Sequence, residues 1–531
     1  MREGATMLIK HIANNDAVMV QADPDCDGFT SSALLINYLS RIFPAFVENK
    51  LTYRLQDGKE HGIIPATVPT DVKLVIAPDS SSNSVDECAE LAARGIDVLV
   101  IDHHEADVPA ADACIINNQL CDYPTKSLAG VGMVYKFCSY LDSLLGVDYA
   151  NDYIDLVALG CVADMVSLQD FETAHLVRSG IQNIKNPFFK LMVEKQAFSL
   201  KDGVTPFGIA FYIAPYVNAT IRVGTAEEKL VLFESMIEKL AYEEIPSTKR
   251  GCKGQTESRV EQACRNCTNV KSRQTKTRDT NLEIIKNIIT EQDLLKNKIL
   301  LIQLTRDLSM DKNLTGLIAN QLMAEYQRPV LLLNYVEHED GFYYEGSARN
   351  VGNTKFENFR EYMASNPLVG YAEGHASAFG TAIHENNITN FIAASNSDLS
   401  QYDFSPCYKV DYIFYHKDMN LKDLSDLAEL QNVWGQGVEE PLIAIEGITV
   451  HSDNIRLMSA DKNPTLKITL PNGMSLIKFR SSQEEYEQLA SEGCVVINIV
   501  GKCKQNIWNG IVSLQILIED YEIVGRNAYY F

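Results

Sequence analysis

No stretch of about 18 consecutive apolar residues occurs in this chain, so no segment reads as a membrane-crossing helix. The opening Met1-Arg-Glu-Gly lacks the apolar core of a secretory signal. Neither a membrane role nor export by that route is expected. The 12 cysteines follow no framework spacing, which excludes a disulfide-stapled scaffold and fits reduced thiols in the cytoplasm. Cys264-Arg-Asn-Cys267 with Cys252 could hold zinc, but no fourth ligand is evident nearby, and free surface thiols are the other reading. Positive charge is scarce: 47 Lys and Arg stand against 70 Asp and Glu, a net −23. That balance excludes a protein that simply coats nucleic acid. There is no internal repeat and no long low-complexity tract, so repeat arrays and disordered chains are excluded too. A 46% apolar content over 531 residues supports real cores, enough for about three or four domains.

What the chain does have is concentrated acid at the ends of apolar runs. Val20-Gln-Ala-Asp-Pro-Asp-Cys-Asp-Gly28 places Asp23, Asp25 and Asp27 in alternation after Ala17–Val20. Alternate side chains of a strand share a face, so the three are expected to converge, with a tight turn at Gly28 and a helix from about Thr30. Leu74–Pro78 runs into Asp79, and Val98–Ile101 runs into Asp102-His103-His104. Leu156–Ala163 runs into Asp164. A parallel sheet gathers such ends at one edge. Like charges packed together are costly unless a cation sits among them. Imidazole mixed with carboxylates suits Mn²⁺ or a similar ion better than Ca²⁺. A single Asp of this kind could be a helix cap or a solvated turn; the recurrence with tandem imidazoles argues for a divalent metal site.

These motifs resemble the DHH phosphoesterase superfamily. The likeness continues into the motifs of its RecJ branch: Tyr53-Arg54 with Gly58 and His61-Gly62, Ala214–Arg222, Gly346-Ser-Ala-Arg349, and Gly374-His-Ala376 through Gly380. Trp434-Gly-Gln-Gly437 and Asn506–Gly510 resemble the start and end of the RecJ OB domain. The resemblance implies a metal-dependent exonuclease acting on single-stranded DNA from its 5′ end. It implies a multidomain α/β fold: a parallel-sheet DHH catalytic domain (1–235), a connector helix (236–285), a smaller α/β DHH-associated substrate domain (286–400) and an OB-like β-barrel (401–531).

The same resemblance assigns roles. Asp79 bridges two divalent cations, Mn²⁺ before Mg²⁺; Asp27, His103 and Asp164 surround one, and Asp25 with Asp23 serves the other. Asp102 is expected to orient His103 through its second nitrogen. His104 contacts the scissile phosphate or protonates the leaving group, or merely supports the ligands. Arg54, Arg222, Ser347 and Arg349 surround the 5′-terminal phosphate, although each arginine could instead be a structural ion pair. His375 contacts substrate near the metals. Trp508 stacks bases or packs in the barrel core. One position departs from the family: where relatives carry His four residues before the second aspartate, this chain has Gln21, a weaker ligand.

Between Lys249 and Arg278 nine basic residues face two acidic ones, +7 locally, and Lys271 and Arg273 lie within this stripe. It reads as a phosphate-holding surface or as a solvated linker, helical in its second half only. The expected partner is single-stranded DNA with a 5′ end, with a single-strand-binding protein or helicase as candidate protein partners. Three other readings compete: a short-oligonucleotide or cyclic-dinucleotide phosphodiesterase, which lacks an OB tail; a family II pyrophosphatase, which lacks the later glycine-histidine motif; and a RecJ-like scaffold that has lost its metals, kept alive only by Gln21.

Overall fold

The computed structural model describes the chain except residues 57–59, 202, 340, 353, 406, 460–462, 491–492, 509–510 and 527–531; the side chains of 312, 313 and 508 are likewise outside the description. Gly58 and the side chain of Trp508 therefore lie outside the described residues. Among the described residues no helix is long and apolar enough to cross a membrane. The chain forms two compact units, residues 1–271 with 412–531, and residues 272–411.

The first unit begins with five parallel strands: β1 (Ala17–Ala22), β2 (Leu51–Leu55), β3 (Val72–Pro78), β4 (Asp97–Asp102) and β5 (Cys114–Asn117). Val, Ile and Leu dominate β3 and β4, as expected of strands buried on both faces. The spatial order is β2-β1-β3-β4-β5. The chain reverses direction across the sheet between β1 and β3, and a crevice opens there at the carboxyl ends. Asp23 follows β1, Asp79 follows β3, and Asp102 ends β4, so three adjacent strands deliver carboxylates to that crevice.

Two expectations fail here. The acidic trio is not on a strand: β1 stops at Ala22, Asp25 caps the Cys26–Ile42 helix by accepting the Gly28 amide hydrogen (2.8 Å), and Asp27 lies in that helix's first turn. The helix thus starts before Thr30, and Gly28 is needed for closeness, since a Cβ there would stand 2.5 Å from the Asp23 carbonyl oxygen. Asp164 does not end a strand either; it follows the buried helix Ile154–Ala163. A short continuous apolar run does not distinguish a buried strand from a buried helix.

Past a helical region, β6 (Glu244–Pro246) and β7 (Thr256–Ser258) form a hairpin. A 33-residue helix, Arg259–Glu291, follows; it contains the whole second half of the basic stripe, as expected, while the stripe's start at residues 249–255 precedes it. Cys264 and Cys267 are buried in the first unit's core, so they are not surface thiols. Among the described residues neither they nor Cys252 belong to a metal-capable group.

The second unit holds β8 (Leu300–Gln303), β9 (Val330–His338), β10 (Gly341–Arg349), β11 (Val369–His375) and β12 (Ala378–His384), ordered β11-β12-β10-β9-β8. β8, the helix Lys312–Tyr326 and parallel β9 form a β-α-β unit.

The carboxyl-terminal part of the first unit is a seven-stranded mixed sheet: β13 (Tyr412–Tyr415), β14 (Ile443–His451), β15 (Ile455–Met458), β16 (Thr465–Thr469), β17 (Ser475–Phe479), β18 (Cys494–Trp508) and β19 (Ile511–Arg526). It has its own apolar core. Trp434-Gly-Gln-Gly437 fastens it to the segment after Asp164. Leu168 N–H donates to the Gln436 carbonyl (2.8 Å), and the Gln169 amide donates to that of Gly437 (2.7 Å). Gly437 has φ +76°, and a Cβ there would lie 2.3 Å from Ser167 Oγ, so only glycine fits this approach.

Candidate metal centre

Two donor groups, and a third that overlaps them, meet at the crevice. Asp27, His103 and Asp164 form one; Asp23, Asp25 and Asp79 form another; Asp79, His103 and His104 form the third. Within each, the ligand atoms lie within 4.8 Å of one another. His103 Nε2 stands 3.2 Å from Asp79 Oδ1, 3.7 Å from Asp164 Oδ2 and 3.8 Å from Asp27 Oδ2. Neither that nitrogen nor Asp79 Oδ1 has a hydrogen-bond partner, although both are buried. Buried polar atoms are rarely left unpaired. A divalent cation is the ligand this donor set fits: an imidazole nitrogen and carboxylate oxygens converge, and His103 Nε2 and Asp79 Oδ1 have no other partner.

The electrostatics agree. Burial, then the neighbouring Asp25 charge, pushes Asp23 up to about 6; burial with Asp25 does the same to Asp164. Burial, then the charges of Asp164 and Asp25, raises Asp27. Burial, then Asp27 and Asp25, raises Asp79. Burial lowers His103 to about 4, leaving it neutral and able to donate a lone pair. Such a cluster is stable as carboxylates only with positive charge among them.

The scaffolding of this cluster was mostly invisible in the sequence. The backbone N–H groups of Gly130 and Val131, at the start of the Gly130–Leu145 helix, donate to the two Asp27 oxygens (2.6 and 3.0 Å). Helix N-termini favour anions, so Asp27 is held by a second helix as well as its own. A Cβ on Gly130 would lie 2.3 Å from Asp79 Oδ1, and one on Gly160 would lie 2.7 Å from Asp27 Oδ1. The signal available was the small-residue run Ala129-Gly-Val-Gly132. Asp79 itself has φ +67°, a strained backbone for a non-glycine residue and one that clusters at functional sites.

Asp102 does not orient His103. Its Oδ1 accepts from His104 Nδ1 at 2.8 Å and from the His103 and His104 backbone N–H groups, while Oδ2 accepts from Ser82 N–H at 3.0 Å. Burial favours its neutral form, but the His104 and Ser82 hydrogen bonds outweigh this and hold it at about 2. The Asp102 hydrogen bond in turn raises His104 to about 9. Asn117 donates to Ser82 Oγ (2.9 Å) and the His104 carbonyl (2.8 Å), closing the network.

Gln21 is buried beside this cluster. Its amide donates to the Gly62 carbonyl (2.9 Å), its Oε1 has no partner, and the Gly62 N–H reaches Asp23 Oδ1 at 3.4 Å. Gln56 donates to the same carbonyl. Arg54 stands opposite Gln21 in the β1–β2 register; one guanidinium nitrogen pairs with Glu60 at 2.7 Å and another is buried without a partner. Arg222 is exposed at the end of the Ala214–Val223 helix. In the second unit, Ser347 Oγ lies 2.9 Å from Thr315 Oγ, and Arg349 Nη1 donates to the Ala348 carbonyl (2.7 Å). The guanidinium of Arg349 passes so close to Gly316 that a Cβ there would meet Nη2 at 2.6 Å. His375 is exposed at the end of β11.

The basic stripe is smaller than its formal charge. Arg259 pairs with Glu234 (2.9 Å) and Glu243 (2.8 Å), Arg265 with Glu257, and Arg278 with Asp279 (2.6 Å). Lys271 is half-buried and Arg273 exposed. Two residues apart on a helix, they face different directions.

Comparison with known proteins follows the same outline. Residues 17–161 match the N-terminal domain of the DHH family, and residues 410–520 match the RecJ OB domain. YorK of the Bacillus subtilis SPbeta prophage, provisionally named a single-strand DNA-specific exonuclease, is 36% identical over 98% of this chain and 90% of its own length. The single-stranded-DNA-specific exonuclease RecJ of the same organism is 25% identical over 98% of this chain and 63% of its own. The crystal structure of Thermus thermophilus RecJ with Mn²⁺ superposes with a TM-score of 0.69 at 20% identity, covering 98% of this chain and 71% of that one.

Proposed function

The chain belongs to the RecJ-type family of DHH proteins, and on that premise we propose that it is a metal-dependent exonuclease hydrolysing single-stranded DNA from the 5′ end. The observation that carries this reading is the His103 imidazole among Asp27, Asp79 and Asp164, with Asp23 and Asp25 completing a second donor group through Asp79. In this reading Asp79 serves two divalent cations, Mn²⁺ before Mg²⁺. Bound there, they supply a nucleophile from water at neutral pH and neutralise phosphate charge.

The chain's own residues do the rest. Asp27, His103 and Asp164 hold one cation, Asp23 and Asp25 the other. His104, kept protonated at neutral pH by Asp102, donates a hydrogen bond to the scissile phosphate and a proton toward the leaving oxygen. In the first unit Arg54 and Arg222, and in the second Ser347 and Arg349, offer groups to the strand's phosphates, guanidinium forks being suited to a terminal phosphate dianion. His375 orients the substrate. Lys271, Arg273 and the OB domain with Trp508 hold the strand behind the cut. The protein works in the cytoplasm, where a single-strand-binding protein or a helicase presents the substrate.

The full set of carboxylates and His103 weighs against a metal-free scaffold, and the OB domain against a short-oligonucleotide hydrolase. The test compares single strands labelled at the 5′ and at the 3′ end, each with Mn²⁺ and with Mg²⁺. Release of mononucleotides from the 5′ label first is expected. Loss from the 3′ end, or cleavage of short oligonucleotides alone, would overturn the reading.

A further inference from the structure

The short helix Pro206–Tyr212 presents two phenyl rings to solvent. Phe207 is 50% exposed and Phe211 60% exposed. They sit four residues apart, one above the other on the helix surface, with ring centroids 4.3 Å apart and planes 26° from parallel. Phe198, 92% exposed, and Tyr212 add aromatic surface within the same short stretch. Scattered exposed hydrophobics are ordinary, but four aromatics within one short segment are not.

This helix is not a loose loop. Pro206 occupies its first turn, Thr205 caps it by accepting the Gly208 N–H (3.0 Å), and Ile209 is fully buried. Gly208 lies against Leu200, where a Cβ would meet Cδ2 at 2.6 Å. One side of the helix is therefore locked, and the stacked rings stand on a rigid support.

The outer half of the β18–β19 hairpin runs alongside. Lys504 Nζ lies 6.0 Å from the Phe207 ring centroid while pairing with Glu440 at 2.7 Å. Lys201 Nζ lies 3.4 Å from Asn506 Oδ1. Lys504 and Asn506 are two apart on β18 and so share a face of the hairpin. In a chain of net charge −23, neither the segment 203–223 nor the segment 501–518 contains an Asp or Glu. Glu440, from outside these segments, neutralises Lys504, so the aromatic stack and not a surplus of positive charge is the feature that selects the ligand.

We propose that the seam between the Pro206–Tyr212 helix and the β18–β19 hairpin is a base-stacking platform for single-stranded DNA. Phe207 and Phe211 are its stacking surface, with Lys201 and Lys504 beside it for backbone phosphates. The proposal rests on the single-strand nuclease reading and adds to it the place where the strand lies on the first unit. Every nucleobase has a π-face, so a phenyl stack accepts any sequence, as a processive nuclease requires. A protein ligand would bury the same rings, but the single-strand nuclease reading and the near-parallel stack of the two rings favour a flat base.

The test uses the full chain in EDTA, so that the strand is held but not cut. Affinity for a long fluorescent oligo-dT is read by anisotropy. Phe207→Leu with Phe211→Leu keeps apolar bulk and removes the stack; binding should weaken about tenfold. Phe207→Trp should restore it in the Phe211→Leu background. An unchanged melting temperature and unchanged Mn²⁺ binding by calorimetry would show that fold and metal centre are intact. A strand carrying 5-iododeoxyuridine should crosslink, on irradiation, to the peptide containing residues 198–212. If the wild type binds and degrades single strands but the double variant binds equally well and the crosslink maps elsewhere, the platform is wrong and the nuclease reading stands. If the wild type neither binds nor degrades single strands, both fall. If the double variant loses a protein partner while keeping its DNA affinity, the surface is a protein-docking site and the proposal is overturned.

Discussion

Asp102 holds His104, not His103: the Nδ1–Oδ1 distance is 2.8 Å, and the two imidazoles stand with ring centroids 4.4 Å apart. One histidine is thereby charged and half outside, the other neutral and turned inward toward three carboxylates. In the proposed mechanism the tandem pair divides proton work from metal work. Asp102→Asn should bring His104 down from about 9 toward the ordinary histidine range, which NMR titration of the imidazole would read directly. Turnover above neutral pH should fall about a hundredfold, the scale of a lost general acid. An unchanged titration curve would remove Asp102 from this role.

Asp79 belongs to two of the donor groups and contacts His103, so Asp79→Ala should be the most damaging single change. Calorimetric Mn²⁺ titration should lose tight binding, and chelation by EDTA should abolish wild-type activity with Mn²⁺ restoring it best. Near-normal turnover of Asp79→Ala would contradict the shared-ligand reading.

The metal-free protein should have an inverted pH response. Asp23 and Asp164 sit at about 6 when folded and near the ordinary carboxylate value, about 3.9, when unfolded. Between those values the folded state binds more protons than the unfolded one. The stability contributed by these groups is present below that window and lost as pH rises through it. Asp27 and Asp79 act in the same sense. His103, depressed to about 4, opposes them between about 4 and 6.5, but it is one group against four. Calorimetry in EDTA should give a higher melting temperature near pH 5 than near pH 7.5. Excess Mn²⁺ should reverse the order, because ligands must be deprotonated to bind. A metal-free melting temperature rising steadily to pH 8 would exclude this crowding.

Gln21 leaves its Oε1 buried and unpaired beside the Asp23 loop. Gln21→His should tighten Mn²⁺ binding in a calorimetric titration if this position faces the cation, imidazole being the stronger ligand. An unchanged isotherm would restrict Gln21 to holding the Gly62 carbonyl.

Arg349→Ala should slow degradation of 5′-phosphorylated strands about ten- to a hundredfold, the effect of losing a charge-assisted contact of about 1.5–3 kcal/mol. Strands with a 5′-hydroxyl should change much less. Equal losses on both would mean that Arg349 serves the fold through its Ala348 contact and not the strand end.

Much of this centre was legible in the chain because strand ends concentrate chemistry. Asp79 and Asp102-His103-His104 follow runs of Val, Ile and Leu that can be little else than buried parallel strands. Asp27 and Asp164 were found as acids but misplaced, since periodicity over so few residues does not separate a buried helix from a strand. The partner of Asp102 was missed because both histidines are adjacent to it in sequence, and only side-chain rotamers decide which one turns back. The amides of Gly130 and Val131 were unreadable, being backbone groups that meet Asp27 across more than a hundred residues. The basic stripe was overread because Glu234, Glu243 and Asp279, which neutralise it, lie outside the counted window.

The Trp434–Gly437 clasp has a practical meaning for anyone trimming this protein. Its two hydrogen bonds end on Leu168 and Gln169, and Gly437 nests on Ser167, only a few residues beyond Asp164. Removing the carboxyl-terminal sheet with that clasp does not simply shorten a handle. It unpins the loop that follows Asp164, a member of the candidate metal centre, so a shortened enzyme with poor activity says as much about a loosened Asp164 as about a lost grip on DNA.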